Sequence, residues 1–221
     1  MRAYHFVSAE HGLSNVKLRR LKIARLADLN DPFEGLAIAL PDSASRKAWR
    51  ESLHEMNAKF GLLCFSRNWS NPVQWSHYAD RHKGICLGFD IPDDVTMEVI
   101  YRRRPHDSAL LDRLLVAGHM NEAQEILLKI MRTKFDHWRY EQEVRIPTSV
   151  DVADAESGLH FVGFSPRLEL REVIVGHRST VTKLQLADVL GDLASSVATM
   201  KARLAFQTYR VVRQRDQRFW D

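Results

Sequence analysis

The distribution of apolar residues constrains this chain most. Short apolar runs of strand length recur along it, at 2–7, 62–66, 85–91, 161–164 and 173–175. Between them lie stretches whose apolar residues return at helical spacing. Strict alternation of the two kinds would build a parallel, doubly wound sheet. About seven strands mixed with about six helices, out of that order, predict an α+β fold with a mixed or antiparallel central sheet flanked by helices. No stretch reads as a linker and no repeat is present, so the 221 residues are expected to form a single domain, 1–221.

Local signals fill in the order. Ser8 caps a helix that runs to about Arg19, and Leu21–Arg25 alternates as a strand. Asn30-Asp31-Pro32-Phe33-Glu34-Gly35 is a dense turn signal, because Pro32 holds Asp31 extended and Gly35 supplies backbone freedom. A polar helix follows from Ser43 to Lys59. Pro72 opens a short helix that reaches Asp80. Val95–Tyr101 and Tyr140–Ile146 read as strands. Leucines and isoleucines over 107–135 predict a helical hairpin, divided at Gly118 and Asn121. Leu184–Met200 reads as one amphipathic helix and Phe206–Val212 as a last strand.

Several function classes fall away. Two cysteines, Cys64 and Cys86, exclude a disulfide scaffold and a cysteine-only zinc cluster. Both sit in apolar runs and are expected to be buried free thiols in a reducing, cytoplasmic setting. No apolar run approaches the ~20 residues of a membrane helix, and the first residues do not read as a signal peptide. There is no G-x-G-x-x-G after a strand, no G-x-x-x-x-G-K and no G-x-S-x-G. His54, His106, His119, His137 and His160 show no metal-ligand spacing. The net charge of +4 is modest. Basic residues do cluster, at 17–22, at Arg102-Arg103-Arg104 and in the tail 210–218, either as solvated faces or for an anionic partner.

The most specific local signal is Trp138-Arg139-Tyr140-Glu141-Gln142-Glu143-Val144-Arg145-Ile146. On a strand, Glu141, Glu143 and Arg145 share one face. They form either a solvated, salt-bridged edge or a carboxylate pair at a ligand cleft, where carboxylates stabilise an oxocarbenium-like transition state. His5, between Tyr4 and Phe6, is either a satisfied core residue or a donor to a ligand. Trp75 and Tyr78, at i and i+3, either pack in the core or form a wall against which a planar ring stacks. Asp31 and Glu34 belong to a simple turn, or approach a ligand or a metal.

The succession Asn30-Asp31-Pro32-Phe33-Glu34, Cys64-Phe65-Ser66, Trp75-Ser76-His77-Tyr78-Ala79-Asp80 … Gly84 and Trp138-x-Tyr140-Glu141-x-Glu143-x-Arg145 resembles the bacterial domain-of-unknown-function 2971 family, over about residues 4–178. That family is loosely associated with phage defence. The layout is also similar, more distantly, to the ADP-ribosyltransferase superfamily. That likeness implies a split sheet, a helical insertion at about 105–136, and a C-terminal helix and strand at 182–214. It implies NAD as substrate, in a toxin or phage-defence effector that cleaves the nicotinamide–ribose bond and passes ADP-ribose to water, protein or nucleic acid. Under it, His5 meets the adenosine-side ribose, Phe65 or Ser66 takes the middle-strand position, and Ser76 and Tyr78 hold nicotinamide. Glu143 is then the catalytic glutamate, Glu141 its Glu-x-Glu partner, and Arg145 lies among the cofactor-binding residues. The geometric corollary is that these side chains line one cleft. His5 and Glu143 should face the same side of the sheet, in a cleft long enough for a dinucleotide and rimmed by arginines. The alternatives are a nucleotide- or protein-binding module without turnover, and a metal-dependent nuclease with Asp31, Glu34, Glu141 and Glu143 around Mg²⁺.

Overall fold

The computed structural model describes residues 1–116 and 120–220. In chain order the elements are β1 (Arg2–Val7), α1 (Ala9–Lys17), β2 (Arg20–Lys22), β3 (Ala24–Arg25), α2 (Ser43–Lys59), β4 (Phe60–Ser66), α3 (Pro72–Tyr78), β5 (Ile85–Asp90), β6 (Met97–Glu98) and β7 (Ile100–Arg102). There follow α4 (Ala109–Val116), α5 (Met120–Met131), β8 (Thr133–Phe135), β9 (Glu143–Ser149), β10 (Phe161–Gly163), β11 (Glu169–Val175), α6 (Lys183–Leu190), β12 (Ala198–Leu204) and β13 (Val211–Arg213). The result is an α+β domain around a sheet ordered β13-β12-β11-β5-β1-β4-β9-β6, with β3 added beside β4. Only β11 and β12 run parallel within it. No helix among the described residues is long and apolar enough to cross a membrane.

The sheet falls into two halves. β1 and β5 are paired along their length, from Arg2↔Asp90 to Val7↔Ile85, and β4 and β9 likewise, from Phe60↔Ser149 to Ser66↔Glu143. Between β1 and β4 only one pair is in register, Tyr4↔Ser66. Beyond it the strands diverge, and the halves open around residues 5–6 and 64–65. This gap at the centre of the sheet is where the candidate site forms.

Alternation along the strands supplies two faces. Ala3, Leu63, Phe65, Leu87, Phe89, Val173 and Val175 pack against Val16 of α1 and Leu186 and Leu190 of α6. Tyr4, Phe6, Cys86 and Ile174 point the other way, onto Trp75 and Ala79 at α3. β5 is therefore apolar on both faces, as a central strand must be. A separate cluster around Trp49, Ile126 and Ile130 joins α2, α4 and α5 to residues 36–40.

Local chemistry accounts for the helix starts. Ser8 accepts a hydrogen bond from the His11 amide at 3.2 Å, and Asn71 from the Val73 amide at 2.9 Å, with Pro72 in the first turn. Thr182 and Gln185 close a capping box at α6.

Five expectations are corrected. The strand over 21–25 divides at Ile23: β2 pairs with β10 while β3 pairs with β4. The strand over 95–101 divides between β6, which pairs with β9, and β7, which pairs with β8. The helical pattern over 107–135 stops at Met131, and Asn121 lies inside α5; Gly118 and His119 lie outside the described residues. The helix over 184–200 stops at Leu190, because Gly191 adopts φ +53 and β-branched residues follow, so that 198–204 become β12. The strand over 206–212 reduces to β13; Phe206 and Tyr209 stand in the preceding turn, over nine-tenths exposed.

Candidate functional site

The strand over 140–146 is also corrected. Asp136–Glu141 forms a 3-10 turn, Gln142 takes a left-handed conformation with φ +46, and β9 begins only at Glu143. Glu141 and Glu143 therefore do not share a strand face. They are brought together by a residue the sequence did not single out, Lys134 of β8. Its ammonium donates to Glu141 Oε2 at 2.6 Å and to Glu143 Oε2 at 3.0 Å, and lies 3.7 Å from Glu34 Oε1. It also lies 5.1 Å from the centre of the Trp138 ring.

Arg145, which does share a β9 face with Glu143, is completely buried. Its guanidinium grips Glu143 through Nε at 2.8 Å and Nη2 at 3.0 Å, and Glu34 through Nη2 at 2.6 Å and Nη1 at 3.0 Å. Nη1 also donates to the Met131 carbonyl at 2.8 Å. The resulting cluster holds three carboxylates and two cations, all with side chains less than a tenth exposed. The surplus is one negative charge. Burial raises Glu34 above the ordinary glutamate range in spite of Arg145. Burial pushes Glu143 the same way, but Arg145 and Lys134 outweigh it and hold it at about 2. Lys134 and Arg145 both lie above their ordinary values, the carboxylates overcoming the cost of burial.

Hydrogen bonds extend from this cluster towards the gap in the sheet. The Tyr78 hydroxyl donates to Glu141 Oε1 and accepts from Asn30 Nδ2. Burial and the neighbouring carboxylate raise the Tyr78 phenol far above its ordinary range, so it stays protonated. Ser66 Oγ and Gln74 Nε2 both donate to the Glu141 carbonyl at 2.6 Å, which fixes the 3-10 turn against β4 and α3. The Tyr101 hydroxyl accepts from the Glu143 amide at 2.8 Å.

A cavity of about 210 Å³ lies against these groups. His5, Phe65, Ser66, Tyr78, Glu141 and Glu143 line it, together with Tyr4, Gln74, Asn30 and Lys134. Two further expected residues are not on its wall. Ser76 is exposed elsewhere on α3, since Gln74 and Tyr78 are the residues that α3 turns inward. Arg145 sits behind Glu143 and holds it in place.

The expectation for His5 is corrected, and with it the mechanism in which His5 and Glu143 act together from one sheet face. Tyr4, Ser66 and Glu143 are in register across β1, β4 and β9, so pleating sends His5 to the opposite face from Glu143. Its ring packs edge-on against Phe65. Its Nδ1–H donates to the Cys64 carbonyl at 3.0 Å, replacing a ladder bond lost where the strands part. His5 borders the cavity only because the sheet is open there. Burial lowers its pKa and keeps the ring neutral.

The expected size and rim are corrected too. The volume lies below the ~300–1,000 Å³ of sites that enclose drug-sized ligands, so the cavity does not enclose a whole dinucleotide. No arginine is among the lining residues. As for a metal, the Lys134 ammonium stands between the Glu141 and Glu143 carboxylates, and Asp31 caps its own loop by accepting from the Phe33 and Phe135 amides at 3.0 and 3.3 Å. A divalent ion would have to displace Lys134.

Sequence reasoning missed Lys134, Gln74 and Tyr101. Lys134 carried no local signal, since it lies in a three-residue strand at the end of a helical pattern.

A family model described as "Protein of unknown function (DUF2971)" matches residues 74–146. The matched span contains Gln74, Tyr78, Lys134, Glu141, Glu143 and Arg145, and over it the chain is similar to that family. No curated protein and no solved structure matches the chain.

Proposed function

We propose that the cavity binds the nicotinamide–ribose end of NAD and that the protein cleaves the bond between the two. One observation carries this reading. β4, α3, the 3-10 turn and β9 each deliver a polar or aromatic side chain to one small cavity, backed by a buried cluster with surplus negative charge. Departure of nicotinamide leaves positive charge on the ribose, and a preorganised negative site stabilises that charge as it develops. Glu141 is the carboxylate nearest to this task, with Tyr78 and Lys134 fixing its two oxygens. Tyr78 offers its ring to a planar leaving group. The remainder of the dinucleotide would lie outside the cavity. The acceptor of ADP-ribose is water, a protein or a nucleic acid.

A second reading, nucleotide binding without turnover, is favoured by a specific feature: Glu34, Glu141 and Glu143 already have cationic or phenolic partners. One experiment separates the two. The protein is incubated with NAD labelled in nicotinamide, with and without chelator, and release is followed alongside calorimetric binding. Release that chelator does not affect, and that falls about 10²–10³-fold in Glu141→Gln with binding retained, supports cleavage. Binding without release supports the second reading. Neither binding nor release refutes both.

A further inference from the structure

A second pocket, of about 240 Å³, also borders Lys134 but has the opposite character. Arg102, Arg103 and Arg104 stand along it, Phe33 and Phe135 form apolar walls, and no carboxylate is among its described lining residues. Pairing of β7 with β8 sets this arrangement, because Arg102 is registered against Phe135. The three arginines are exposed. Arg103 reaches Asp136 only at 3.5 Å, and that carboxylate is held more closely by Arg139. Arg102 Nε donates to the Arg104 carbonyl at 3.2 Å. Among the described residues neither Arg102 nor Arg104 has a carboxylate at ion-pair distance.

Three adjacent cations repel one another, and the fold supplies no counter-charge for two of them. Beside them Phe33 is 59% exposed, so its ring is open to a ligand. Its backbone is not loose: the Phe33 amide donates to Asp31 Oδ1 at 3.0 Å and its carbonyl accepts from the Leu36 amide at 2.8 Å. An aromatic face held in water beside unpaired guanidinium groups is the combination that stacks a base and grips its phosphate.

We infer that this basic pocket is a nucleotide site, with the phosphate on Arg102 and Arg104 and the base against Phe33. Its size admits one base with its phosphate at the arginine rim, and not a duplex. The ligand is a free mononucleotide or the terminal nucleotide of a single strand. The inference stands apart from the chemistry of the carboxylate cavity.

The test is calorimetric titration of the full chain with AMP, adenosine, ribose 5-phosphate and a 5′-phosphorylated oligothymidylate. AMP should bind about tenfold or more tighter than adenosine, which lacks the charge, and than ribose 5-phosphate, which lacks the base. The double variant Arg102→Gln/Arg104→Gln should lose about tenfold or more in AMP affinity, and Phe33→Ala about tenfold. Arg218→Gln, at an exposed tail arginine paired with Asp216, is the control and should bind as the parent does. All four positions are exposed, so the variants are expected to keep the parent's melting temperature. An oligonucleotide that binds tighter than AMP, with steep salt dependence, assigns the site to a strand terminus; one that does not assigns it to free nucleotide. Equal binding of AMP and adenosine, full affinity in the double variant, or no AMP binding would overturn the inference.

Discussion

Replacing Arg145 by methionine tests the buried cluster directly. The side chain is wholly enclosed and makes five hydrogen bonds, to Glu143, Glu34 and the Met131 carbonyl. Methionine keeps much of the volume and removes the charge. The cluster then holds three carboxylates against one cation, Lys134. Removing one partner of a buried ion pair costs ~3–5 kcal/mol, because the charge left behind is neither solvated nor paired. For a chain of this length that lowers the melting temperature by about 6–20 °C at neutral pH.

The pH dependence identifies the cause. Burial alone would raise Glu143, but Arg145 and Lys134 hold it at about 2, from an unfolded value of 4.5. A depressed carboxylate contributes stability above its unfolded pKa and loses it as the pH falls from 4.5 through about 2. Without Arg145 the burial effect gains ground, Glu143 protonates at higher pH, and protonation relieves the variant. The gap between parent and variant is therefore widest near neutrality and narrows on acidification towards pH ~4. Adding Glu143→Gln to Arg145→Met should restore much of the loss, since it removes the stranded charge. Thermal unfolding followed by circular dichroism, in a pH series, measures all three. A shift below about 3 °C at neutral pH, or a gap that stays constant with pH, would refute the electrostatic reasoning.

Tyr78→Phe removes the hydroxyl between Asn30 and Glu141; chemical denaturation should show a loss of about 1–2 kcal/mol, and a change near zero would mean that Glu141 is satisfied without it. Gly84→Ala places a Cβ 2.1 Å from the Val7 carbonyl oxygen, a backbone atom that cannot step aside, so the urea midpoint should fall by the equivalent of about 1–3 kcal/mol. Gly191→Ala puts a Cβ on a left-handed residue at the end of α6, and should cost about 1 kcal/mol by the same assay; an increase in stability would show that the turn readily rearranges.

The parts of the fold that local chemistry encodes were legible in the chain. Ser8 and Pro72 announced helix starts, and the apolar runs of β1, β4 and β5 read as core strands. The limits of α2 coincide with Ser43 and Lys59 as read. The carboxylates of the site were also visible, because Glu141 and Glu143 put two like charges, with Arg145 beside them, into a segment otherwise fit for a core. What failed was whatever depends on a partner distant in sequence. Residues 198–200 read as the end of a helix, yet they open β12 because β11 offers a parallel edge. The break at Ile23 arises because two different strands, β10 and β4, claim its neighbours.

The candidate site follows the same division. Residue types singled out Tyr78, Glu141 and Glu143, and the superfamily resemblance added Phe65 and Ser66. Only tertiary structure decided what joins them. Lys134 enters from a three-residue strand and becomes the cation between two glutamates. Ser76 is excluded because the phase of a seven-residue helix turns Gln74 and Tyr78 inward instead. His5 reaches the cavity from the other sheet face because β1 and β4 keep a single pair in register. Side-chain type is a property of each residue, whereas the direction a side chain points and the charge it meets are set by strand register and helix phase. Those are fixed only when the whole chain has packed.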